Sequence, residues 1–80
     1  MLETLKSRRK LIGLKQTLRA LQEENVELCI LAKDADDKFK QCVIEACESK
    51  SVKVIIGDER KKMGKYCDID VGAAVVCVLK

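Results

Sequence analysis

The sequence predicts an α/β fold, a three-layer α/β/α sandwich around a small mixed four-stranded sheet. Three observations carry this reading. The apolar runs at residues 26–32, 52–56 and 73–79 are nearly unbroken, as in strands buried on both faces. Segments with helical periodicity separate them, which is the pattern of crossover connections in a parallel or mixed sheet. The length of 80 residues suits one small domain over 1–80 with a limited core.

Taken in order, a first helix is expected over residues 2–10, with Leu11 and Ile12 as a short strand before Gly13. A second helix runs over residues 14–24. Its Leu14, Leu18 and Leu21 recur at i, i+4 and i+7, so one face is apolar. At about 100° per residue, Lys15, Gln16 and Arg19 gather on the opposite face. Their charge and amide groups stand near the positive end of that helix, where an anion is well held. After the strand at 26–32, a helix covers residues 36–49, in which Phe39, Cys42, Val43 and Ala46 keep the helical spacing. The β-branched run at 52–56 is a strand. Asp58 is the expected N-cap of a short helix through Tyr66, and residues 73–79 form the last strand. Ligands of such folds sit at the carboxyl ends of strands and in the loops beyond. The candidate loops are therefore 33–35, 57–58 and 67–72.

Composition excludes several classes. With 48% hydrophobic and 36% charged residues the chain is not of the disordered type. No apolar run reaches membrane-spanning length, and the first residues lack the apolar region of a secretion signal. A cytoplasmic protein without a membrane partner is the expectation. A net charge of +3 says little by itself. Its distribution says more: Lys6, Arg8, Arg9 and Lys10 precede the α-helical stripe, and Arg60, Lys61, Lys62 and Lys65 form a second basic cluster. Each cluster alone is an ordinary solvated face; brought together they would make a footprint for phosphates.

The five cysteines, Cys29, Cys42, Cys47, Cys67 and Cys77, contain no C-x-x-C pair. Cys42 and Cys47 would point about 140° apart on a helix, and Cys29 and Cys77 lie in apolar runs. Reduced thiols are expected, with no zinc site and no disulfide framework. The chain has no histidine, which removes Ser/His and Cys/His nucleophile pairs. It also lacks a glycine-rich phosphate loop. No catalytic residue and no cofactor are expected. With Phe39 and Tyr66 as its aromatic residues, it has no platform for stacking single-stranded bases.

Two loops carry open alternatives. In Lys33-Asp34-Ala35-Asp36-Asp37 the acids cap a helix and complement its dipole, hold a hard cation such as magnesium, or form a polar wall beside a nucleobase. In Asp68-Ile69-Asp70-Val71-Gly72 the two apolar residues either tuck under the strand or stand at a rim against an unstacked base. Gly72 would permit a tight backbone approach.

The chain resembles the kink-turn RNA-binding ribosomal proteins, the group of the archaeal L-seven-Ae and eukaryotic L-thirty-e proteins, and most of all its small bacterial members. The carriers are Gly13-Leu14-Lys15-Gln16-Thr17 with Arg19, Ala32-Lys33-Asp34-Ala35-Asp36, Met63-Gly64-Lys65-Tyr66-Cys67 and Ile69-Asp70-Val71-Gly72-Ala73-Ala74. Their order and spacing cover nearly the whole chain. Lys15-Gln16 stands where that family often has Asn-Glu, and Asp68 where a glycine is common. The resemblance implies the same sandwich fold and a non-catalytic, ribosomal-protein-like RNA binder. Its ligand would be a kink-turn with tandem sheared G·A pairs, in ribosomal RNA or a riboswitch-like element, with the ribosome as a candidate association. Lys15, Gln16 and Arg19 would read base edges in the groove. Lys33, Arg60 and Lys65 would face phosphates, Asp36 would also contact RNA, and the loop from Asp68 through Asp70 to Gly72, with Ile69 and Val71, would pack on the bent strand. Gly13 and Asp34 complete the implied contact set. The alternative is a protein-interaction module of the same fold.

Overall fold

The computed structural model describes residues 9–67 and 72–80. Its elements follow as β1 (Lys10–Ile12), α1 (Leu14–Gln22), β2 (Val26–Leu31), α2 (Asp37–Ser49), β3 (Lys53–Ile56), α3 (Arg60–Tyr66) and β4 (Val75–Leu79). They build a four-stranded sheet in the order β1-β4-β2-β3. The strand β4 is antiparallel to both neighbours, while α2 returns the chain so that β3 runs parallel to β2. The sheet is therefore mixed, as the apolar strand runs predicted.

Within those runs, alternation decides which side chain serves which layer. On one face Cys29, Leu31, Val75 and Cys77 pack against α1 and α2 through Ala20, Leu21, Val43 and Cys47. On the other, Ile30, Val76 and Val78 pack against Met63 and Cys67 of the α3 region. Val26 joins the first face although its parity is that of Ile30, because the ladder shifts register between Val26 and Leu28. Cys29 and Cys77 face each other across the β2–β4 ladder. Together with Cys47 they are fully buried in one core, and all five cysteines are free thiols. The hydrogen bond with Cys77 first, and then burial, push the Cys29 thiol up, and burial raises the Cys47 thiol. Cys42, on the other side of α2, is exposed.

Three expectations are corrected. Lys10 is not helical: it opens β1 by pairing with Val78 in the ladder, and Arg9 is not helical either. The rest of the first expected helix, 2–8, lies outside the described residues. The second helix stops at Gln22 rather than residue 24, because Glu24 takes a left-handed backbone, φ 55°. Asp58 is not the N-cap of α3; Glu59 holds that position without a side-chain cap bond.

Candidate nucleic-acid interface

The carboxyl ends of β2 and β3, the start of β4 and the β1–α1 junction meet at one pole of the sheet. Backbone hydrogen bonds lace them together. Gly13 N–H donates to the Val75 carbonyl at 3.2 Å and Ala32 N–H to the Ala74 carbonyl at 2.9 Å. Gly57 N–H donates to the Leu31 carbonyl at 2.7 Å, and Lys33 N–H to the Asp58 carbonyl at 3.0 Å. These bonds make a continuous rim from segments far apart in sequence.

Gly13 sets the entry of α1. Its φ of 105° is a conformation that side chains rarely adopt, yet a Cβ there would meet nothing within 4 Å. Backbone freedom, not space, requires the glycine. Its carbonyl is held twice by the buried Thr17, through the hydroxyl at 2.8 Å and the N–H at 3.1 Å. That lock fixes the first turn, from which Lys15 and Gln16 project exposed, with Arg19 exposed one turn on. The apolar face carries Leu14, Leu18, Ala20 and Leu21 into the core beside α2. The stripe is on the exposed face where periodicity placed it, but Arg19 lies in the last turn of α1 and not near the positive end expected for all three residues. Thr17 was missed as a buried residue, although at about 300° on the same wheel it borders the apolar arc.

The β2–α2 loop divides its acids. Asp36 caps α2 by accepting from Lys38 N–H at 3.2 Å, and Asp37 sits in the acidic first turn. Asp34 turns instead to α3: its Oδ1 accepts the Arg60 N–H at 2.9 Å and lies 3.6 Å from the Arg60 Nε. The Arg60 backbone N–H first, and its guanidinium charge more weakly, hold Asp34 below the usual carboxylate range. Lys33 is exposed, and its own carbonyl accepts from Lys40 Nζ at 2.8 Å, so the loop is braced from α2. Lys40 was not singled out from sequence; its place one helical turn inside α2 carries no pattern. Among the described residues no group of three or more Cys, Asp or Glu side chains is placed to hold a metal ion.

The second basic cluster is partly neutralised. Arg60 lies on Asp34, and Lys62 Nζ is 4.0 Å from Asp58. Lys61 and Lys65 are exposed, Lys65 standing about 7.5 Å along the helix axis from Arg60. Gly72 approaches the protein itself: a Cβ there would lie 3.2 Å from Arg60 Cβ. Asp34, Arg60, Lys61, Gly72 and Ala74 line an open pocket of about 420 Å³. Asp68, Ile69, Asp70 and Val71 lie outside the described residues. A larger recess of about 590 Å³ sits at the opposite pole, between Glu24, Glu27, Lys50 and Lys80. It collects none of the candidate residues and mixes both charges, so size does not make it the site.

The rim can therefore present cationic side chains from α1, the β2–α2 loop and α3 to one anionic surface. The comparisons with known proteins bear on what that surface is. The model of the "Ribosomal protein L7Ae/L30e/S12e/Gadd45 family" matches residues 1–80. An "RNA-binding protein" of Bacillus pumilus is 41% identical over 69 residues, spanning 86% of this chain and 84% of its own. The "RNA-binding protein YbxF" of Geobacillus stearothermophilus is 41% identical over 78 residues, 98% of this chain and 95% of its own. A solved structure of a Bacillus halodurans protein of unknown function superposes with a TM-score of 0.90 at 26% identity, covering 99% of this chain and 83% of that one. The Giardia lamblia 15.5kD RNA binding protein superposes with a TM-score of 0.88 at 25% identity, covering 99% and 70%.

Proposed function

This chain belongs to the ribosomal protein L7Ae/L30e/S12e/Gadd45 family, and on that premise we propose that it is a non-catalytic RNA-binding protein whose rim recognises a kink-turn with tandem sheared G·A pairs. The observation that carries the proposal is the meeting at one pole of the start of α1, with its exposed Lys15 and Gln16, and of Lys33, Arg60 and the segment entering β4. The exposed face of α1 continues to Arg19 in its last turn. Bacterial relatives named RNA-binding proteins share this chain nearly end to end. Lys15 and Gln16 are hydrogen-bonding side chains that can meet base edges, and Arg19 and Lys33 add charge toward phosphates. Lys65 extends the same charge along α3. Phosphate contacts of this kind make binding fall as salt rises.

The test is a binding titration with a kink-turn RNA and with a variant of it lacking the G·A pairs, at two salt concentrations. The proposal expects tight, salt-dependent binding to the first and a loss of at least tenfold with the second, in line with the discrimination of base-edge contacts. Equal affinity for the two RNAs would overturn kink-turn recognition. Binding of neither, with a ribonuclease-insensitive protein partner, would make the rim a protein-interaction surface.

A further inference from the structure

We propose that Asp34 is a positioning residue of the RNA-facing rim: from another loop it caps α3 and so ties three rim segments into one clasp centred on the Arg60 backbone. The inference rests on the RNA-binding reading of that rim. Its basis is local to α3. The first turn of a helix leaves N–H groups in need of acceptors, and the residues just before α3 do not supply one to Arg60. Glu59 makes no side-chain cap bond, and the Asp58 carboxylate accepts from the Glu59 N–H at 3.1 Å. The Arg60 N–H is met by Asp34 Oδ1, 26 residues upstream, at 2.9 Å.

The other side of the same residue completes the clasp. The Arg60 carbonyl accepts from the Ala73 N–H at 3.0 Å, and Gly72 lies close enough that a Cβ would press on Arg60 Cβ at 3.2 Å. One residue thus joins the β2–α2 loop on its amide side to the segment entering β4 on its carbonyl side. That segment leads directly from residues 68–71, which the RNA-binding reading sets against the bent strand. Asp34 also places a negative charge at a pole proposed to meet phosphates, which by itself opposes RNA binding.

This produces a prediction of opposite sign to simple electrostatics. Removing the charge with Asp34→Ala makes the rim more cationic, so a bystander carboxylate predicts tighter RNA binding. A positioning role predicts weaker kink-turn binding, by roughly fivefold or more given what a helix cap is worth, with binding to an unstructured RNA unchanged or stronger. Asp34→Asn keeps an oxygen acceptor for the Arg60 N–H and restores most of the kink-turn affinity. Amide hydrogen exchange on the free proteins supplies the second readout. Asp34→Ala speeds exchange at Arg60 and Ala73 and leaves Asn25 and Val52, at the opposite pole, as slow as in the wild type.

Kink-turn binding by Asp34→Ala as tight as, or tighter than, wild type would overturn the proposal. So would an Asp34→Asn variant as weak as Asp34→Ala, which would assign the carboxylate itself to the RNA. Unchanged exchange at Arg60 and Ala73 would remove the clasp. A wild-type protein that does not bind the kink-turn overturns the RNA reading instead, and the exchange data then still decide whether Asp34 holds α3 to residue 73.

Discussion

The two poles of the sheet are closed by different means. At the rim, the closing bonds run between loops distant in sequence: Asp34 to Arg60, Ala73 to Arg60, Lys33 to Asp58 and Gly13 to Val75. At the far pole, α1 and α2 each end in a local motif. After α1, Asn25 N–H donates to the Ala20 carbonyl and Glu24 N–H to that of Leu21; after α2, Val52 N–H donates to Cys47 and Ser51 N–H to Glu48. These are paired Schellman caps, and both place a non-glycine residue in the left-handed region, Glu24 at φ 55° and Ser51 at φ 57°. The helix ends at the far pole are thus set by their own short segments, although its strand ends are also joined over long range, Lys80 N–H to the Asn25 carbonyl and Leu79 N–H to that of Arg9. At the rim the loops themselves are held by contacts distant in sequence. A binding surface made of long-range contacts can be altered by one substitution without touching the opposite end.

The largest effect should come from cutting α3 away from the sheet. Met63 is fully buried and is the main side chain of α3 in that layer's core. Met63→Ala should cost about 2–5 kcal/mol of stability, measured by urea denaturation, and should speed amide exchange at Arg60 and Ala73 well before Asn25 or Val52. Uniform acceleration at both poles would show that they do not differ as described. Next in size is the RNA response. Combined Lys15→Ala and Arg19→Ala should weaken kink-turn binding by roughly 10- to 100-fold with an unchanged unfolding midpoint. Lys50→Ala at the far pole should leave binding within about twofold, because screening limits a distant charge.

Glycine at either far-pole cap should stabilise the protein. Glu24→Gly and Ser51→Gly each relieve a left-handed side-chain residue and should add about 1 kcal/mol, read as a raised unfolding midpoint with RNA affinity unchanged. A loss of stability would mean that these side chains contribute more than their backbone conformation costs. The smallest effect concerns pH. Asp34 is held below the usual carboxylate range in the folded state, so protons bind the unfolded chain better. Its contribution is present above the unfolded value of about 3.9 and is lost as pH falls through the lower folded value. The stability difference between wild type and Asp34→Asn should therefore be flat from neutral pH to about pH 4 and shrink below it. A difference that grows on acidification would reverse the assigned sign.

The same contrast explains what was legible in the sequence. Strands β2, β3 and β4 and helices α1 and α2 stood out because period and burial are local signals. The exposed stripe of Lys15, Gln16 and Arg19 followed from the helical wheel. The layer served by each strand residue did not, since unbroken apolar runs such as Val75–Leu79 hide their alternation, and the register shift near Leu28 inverts it. Both far-pole caps were invisible because they use Glu24 and Ser51 where glycine would have signalled them. The pairing of Asp34 with Arg60 was beyond reach for a different reason. Each residue has a good local explanation, as a cap for α2 and as part of a basic run, and only the assembled sheet brings them together.

The strand order has a consequence for how the molecule comes to be. Although β1 and β2 are nearly adjacent in sequence, they do not pair; β4 lies between them and bonds to both. A ribosome delivers residues 10–31 long before 75–79, so the two early strands wait, unpaired along the edges that β4 will fill. Their exposed apolar edges are open to wrong partners during that interval. Closing the ladder from Lys10 to Val78 spans most of the chain, and such distant pairing slows folding. Arrival of the last strand is then the event that joins β1 to the β2–β3 pair and completes the four-stranded sheet.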